Sequence, residues 1–92
     1  MKLSEIYFGA IDVIRERGWC QGEFKSKNGS VCMIGAMEFF NKKYPFDSND
    51  YFKNTVFPLL HPAYANDEVC QTADDACAFL EIAACCAAAK GK

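Results

Sequence analysis

The stretch from Ala76 to Ala89 constrains this chain more than any other: fourteen residues, all apolar except Glu81, and half of them alanine. Alanine favours helix more than any other residue and has no side chain to hold a neighbouring element away, so the stretch reads as a helix that packs closely. It falls short of the about 20 residues that cross a bilayer, which makes it a buried helix and not a membrane span. Thr72-Ala73-Asp74-Asp75 just before it matches a capping box, with two acids at the positive end of the helix dipole. Ala76, Phe79, Leu80, Ala83, Cys86 and Ala87 make its apolar stripe, and Lys90-Gly91 a stop.

A second helix is expected over residues 3–17. Leu3, Ile6, Tyr7, Ala10, Ile11 and Ile14 recur at spacings of three and four, with Ser4 as N-cap, Gly18 just past the end, and Arg15 and Arg17 complementing the dipole. Between Trp19 and Ile34 two short apolar runs flank Lys25-Ser26-Lys27-Asn28-Gly29. An Asn-Gly pair between such runs favours a tight turn, so a β-hairpin is expected, leaning on helices through Trp19, Phe24, Val31 and Met33. A helix from Gly35 should stop near Lys42 or Lys43, because Tyr44 precedes Pro45. Asp47 and Asp50 resemble a capping pair opening a helix over 49–57, and Pro58 and Pro62 then break the chain into a loop over 58–70 carrying His61. The expected architecture is α+β: an N-terminal helix, a β-hairpin, then two to three helices packed on the hairpin. At 92 residues the chain, 1–92, is expected to be a single domain.

Charge and chemistry narrow the function classes. The net charge of −2 argues against direct nucleic-acid binding, and the acids lie unevenly: residues 1–45 hold seven basic and five acidic groups, residues 46–92 three and seven. Phe39, Phe40, Lys42, Lys43 and Tyr44 have the makeup of a base-stacking patch, although a core stripe with solvated lysines is the simpler account. An acidic second half suits a basic partner surface. No leader segment is visible at Met1-Lys2, so a cytosolic location with reduced cysteines is expected. The six cysteines, Cys20, Cys32, Cys70, Cys77, Cys85 and Cys86, lack the close pairs that zinc sites use, and neither a metal nor a cofactor is expected. For nucleophilic catalysis the weak candidates are Cys32, placed just before a helix whose dipole would lower its pKa, and His61, the one imidazole in the chain. A buried thiol and a loop histidine are the commoner outcome.

At Gly18-Trp19-Cys20-Gln21-Gly22, Asn28-Gly29 and Val31-Cys32-Met33-Ile34-Gly35-Ala36-Met37 the chain resembles a family of small domains of unknown function encoded by actinobacteria and bacteriophages. Asn66-Asp67, followed by Thr72 and Asp75-Ala76, resembles that family's Trp-Asn-Asp segment, with Ala65 where tryptophan is usual. The resemblance implies helix, hairpin and helices, and no activity. Cys20 and Cys32, on opposite hairpin strands, are then expected to line one small pocket under Trp19, with Gly22 and Gly35 allowing close backbone approach.

These observations favour a small cytosolic, non-enzymatic protein-binding module. The phage-rich resemblance extends the expectation to a phage-encoded inhibitor of a host protein, by analogy a defence protein such as a CRISPR effector. The candidate binding residues are Trp19, Cys20, Gln21, Gly22, Asn66, Asp67, Glu68 and Asp74. Two alternatives stand beside it: a cysteine-dependent enzyme or thiol sensor using Cys32 or Cys20, and a homo-oligomeric structural domain burying the last helix between copies.

Overall fold

A computed structural model describes residues 1–40 and 45–92, the side chains of Pro45 and Phe46 apart. Helix α1 runs Leu3–Arg17 and is stopped by Gly18, whose φ of 95° suits a residue without Cβ. Its stripe is buried at Ile6, Tyr7, Ala10 and Ile14, while Ile11 is half-buried. Ser4 is not the cap. Lys2 precedes the first turn, and the Ser4 N–H donates to Lys92 O at 3.2 Å, tying the two ends of the chain together.

Helix α2, Met33–Glu38, is short and almost wholly buried. It begins two residues before the expected start, because Cys32 Sγ accepts the Gly35 N–H at 3.3 Å and so caps it. Its expected stop near Lys42 or Lys43, and Tyr44, lie outside the described residues. Helix α3, Pro45–Tyr51, continues as a π-helical turn over Phe52–Val56, so the helix expected over 49–57 begins earlier and Asp47 lies inside its first turn. The expected loop over 58–70 is largely helical as well: α4, Pro62–Tyr64, passes into a π-helical turn over Ala65–Val69. Pro62 takes the first helical position, where a missing N–H costs nothing, and His61 Nδ1 accepts the Ala63 N–H at 3.0 Å.

Helix α5, Ala73–Ala89, follows the capping box as expected: Thr72 Oγ1 accepts the Asp75 N–H at 3.2 Å and Asp75 Oδ2 accepts the Thr72 N–H at 3.3 Å. Ala76, Leu80, Ala83, Ala84 and Ala87 are fully buried, and α5 lies along α1.

The expected α+β class is overturned. Helices take up 65% of the described residues, and no strand or sheet forms among them. What replaces the hairpin is a loop over 18–32 touching itself at two isolated bridges, Trp19 with Val31 (parallel) and Lys25 with Val31 (antiparallel). The Asn-Gly turn does form: Gly29 has φ 90°, and Asn28 Oδ1 accepts the Ser30 N–H at 3.1 Å. No ladder extends from it. Val31 is bonded by Gly18 O and the Cys20 N–H, Cys32 already caps α2, and Cys20–Gly22 turns aside to bond with the π-helical turn over Ala65–Val69. Val31 thus spends its backbone groups on Gly18 and Cys20 of the same loop, while Cys20 O and the Gly22 N–H go to Asn66 and Asp67, so the pairing does not extend into a second strand.

Candidate functional site

Asn66 organises the loop. Although polar, it is fully buried, at the junction of α4, the 18–32 loop and the start of α2. Its Oδ1 accepts the Trp19 indole N–H at 2.6 Å and the Met33 N–H at 3.1 Å; its Nδ2 donates to Cys20 O at 3.0 Å and Asp67 Oδ1 at 2.9 Å. Two acceptor sites and two protons are all that a carboxamide has, so none is left for a ligand. Around it, Gln21 Nε2 lies 3.1 Å from each of three carbonyls, those of Asn66, Asp67 and Cys70, and the Gly22 N–H donates to Asp67 Oδ1 at 3.0 Å.

Of the candidate binding residues, six therefore converge: Trp19, Cys20, Gln21, Gly22, Asn66 and Asp67. They bind one another, closing the loop onto the π-helical turn that follows α4. Glu68 is next to the clamp and exposed, whereas Asp74 is elsewhere, on the first turn of α5 in an exposed ion pair with Arg15. Gly22 adopts φ 80° with nothing near the place of a Cβ, so its conformation and not crowding calls for glycine; at Gly35 a Cβ would meet Phe24 O at 2.0 Å.

The thiols do not form the expected pair of pocket walls. Cys20 Sγ faces Glu23 O at 3.4 Å and Ser30 O at 3.6 Å, while Cys32 borders a crevice of about 60 Å³ with Gly22, Phe24, Ala63 and Asp67. Burial pushes the Cys32 thiol up, and the N–H groups of Gly35 and Ile34 offset this only in part. Burial also pushes up Cys77, and Cys70 to about 11. These directions oppose thiolate formation at neutral pH. The His61 Nδ1 and Cys32 Sγ atoms each cap their own helix. Among the described residues no group of three or more His, Cys, Asp or Glu is placed to hold a metal ion.

A different feature is open to solvent. Val69, Ala78, Phe79 and Ile82 line a crevice of about 400 Å³ with Gln71 and Asp75 at its edge, and a second of about 360 Å³ continues along α5 over Ala78, Glu81, Ile82 and Cys85. Phe79 is held from behind by Phe57 and Phe52, with ring centroids 5.0 and 6.2 Å away, so the floor is fixed. Val69 and Ile82 are 45% and 54% exposed, which leaves apolar area uncovered on both sides of that ring. Reading one stripe on α5 missed this face; the signal was the second apolar stripe, Ala78, Ile82 and Cys85, at spacings of four and three.

Fold and site together define an all-helical domain whose polar cluster is closed inward and whose last helix is apolar on two faces. The chain belongs to a family of unknown function, DUF6197, whose model matches residues 1–85. Comparison with curated proteins and with solved structures gave no match. Among the described residues no helix is long and apolar enough to cross a membrane.

Proposed function

We propose that this chain is a protein-binding module that docks the outer face of α5 on a basic surface of another protein. The observation that supports this reading is the apolar strip Val69, Phe79 and Ile82, continuous with Ala78 and Cys85 and lined also by the exposed residues Asp75 and Glu81, with the exposed Glu68 next in sequence to Val69. An exposed apolar strip with a charged rim is the anatomy of a docking surface: the strip supplies burial, and the rim sets partner choice and association rate. The inward closure of the clamp supports the same reading, since it leaves the motif residues the task of holding the scaffold.

The test is binding between purified components, once a partner has been isolated from the cells that carry this chain. Ile82→Glu, and separately Glu68→Lys with Glu81→Lys, are expected to weaken binding by about tenfold or more, equivalent to about 1.4 kcal/mol. Affinity should also fall as salt is raised. Unchanged affinity in both variants would overturn the proposal.

A further inference from the structure

The opposite charge is gathered elsewhere. Phe24 is 55% exposed, yet its backbone is fixed: Phe24 O accepts the Cys32 N–H at 3.2 Å and lies where a Cβ on Gly35 would be, and the next residue, Lys25, bridges to Val31. With Phe39, Lys25, Gly35 and Glu38 it lines a crevice of about 410 Å³. The Arg17 guanidinium lies 4.6 Å and the Lys25 ammonium 5.9 Å from the centre of the Phe39 ring. A ring face holds a cation in place without neutralising it, and neither Arg17 nor Lys25 has a carboxylate partner among the described residues. Lys27 adds a third exposed charge on the same loop.

We infer that this crevice is a second docking surface, which takes an acidic peptide segment of a partner protein with one large apolar side chain. The apolar side chain enters between Phe24 and Phe39, and flanking carboxylates meet Arg17 and Lys25. A rigid backbone under an exposed ring gives a pocket that needs little ordering on binding. Glu38, lining the same crevice, sets the direction, since the acidic flank must lie at the Arg17 and Lys25 side. Charge favours a peptide over a nucleic acid: the net charge of −2 and the three cations described at this crevice are few for following a phosphate backbone. Carrying this surface as well as the acidic face of α5, the domain would bridge two partners of opposite charge.

The full chain is titrated into fluorescein-labelled probes read by anisotropy: a peptide of glutamates around one phenylalanine, the same peptide with glycine at the centre, a lysine counterpart, and oligo-dT of equal length. The glutamate–phenylalanine peptide is expected to bind tightest, and to lose about tenfold in affinity with Lys25→Glu and with Phe24→Ser while Ile82→Glu leaves it unchanged. Both substituted positions are exposed, and an unchanged urea midpoint for Lys25→Glu shows that this variant is folded. No binding of that peptide, equal binding of the glycine peptide, tighter binding of oligo-dT, or indifference to Lys25→Glu would each overturn the inference.

Discussion

A single buried carboxamide shows how side-chain chemistry decides this structure. Asn66 supplies four hydrogen bonds, two of them to donors with no other partner among the described residues, the Trp19 indole and the Met33 N–H. Asn66→Ala would leave both unsatisfied in the interior, and a loss of about 3 kcal/mol is expected from urea unfolding. The sequence marks Trp19–Gly22 and Asn66-Asp67 as special, and the structure brings them together. Residue types alone do not show whether such polar groups look for partners outside or inside the chain, so they read equally well as a ligand site. A buried thiol is the commoner reading of Cys32 in the sequence and is what the structure shows there, as it does at Cys70 and Cys77, whereas Cys85 is exposed. Timed alkylation of the native protein, mapped by peptide mass, should label Cys85 first and Cys32, Cys70 and Cys77 last; fast labelling at Cys32 would restore it as a candidate nucleophile.

At the scale of elements, those with local signals were the legible ones. Helix α1 ends where Gly18 says it must, and α5 starts at its capping box, because propensity, periodicity and caps all act within a few residues of chain. Thr72→Ala removes one half of that box, and a cost of about 1 kcal/mol is expected in the same unfolding experiment, with little change if the helix were held by packing alone. The hairpin was misread for the complementary reason. Its turn is local and forms, but its ladder had to compete with bonds to Asn66 and Asp67, which lie more than thirty residues along the chain. Likewise α4 and the two π-helical turns carry few caps of the usual kind, and His61 is an uncommon cap. The second face of α5 was written in the sequence as apolar residues beyond one stripe; among the described residues nothing covers Ile82, which is 54% exposed on that face.

For the whole molecule, burial of protonated groups makes stability depend on pH in one direction. The Cys70 thiol keeps its proton to about 11 in the folded chain, against an ordinary value of 9.0, and Cys32, Cys77 and the Tyr7 hydroxyl are also pushed up, mainly by burial. Between about pH 9 and 11 the unfolded chain therefore binds fewer protons than the folded one, and stability, complete below that window, falls as pH rises through it. The urea midpoint should be lower at pH 10.5 than at pH 8; an equal or higher midpoint would contradict the burial of these groups.

The claim on which the account turns is that a partner protein docks on the outer face of α5. Its most direct test is site-specific photo-crosslinking in living cells, with p-benzoylphenylalanine replacing Ile82 on that face or Phe8 on α1. The two positions are comparably exposed, 54% and 45%, so they differ in location and not in access. The account expects one defined protein adduct from position 82 and none from position 8. No adduct from position 82, or the same adducts from both, would contradict it.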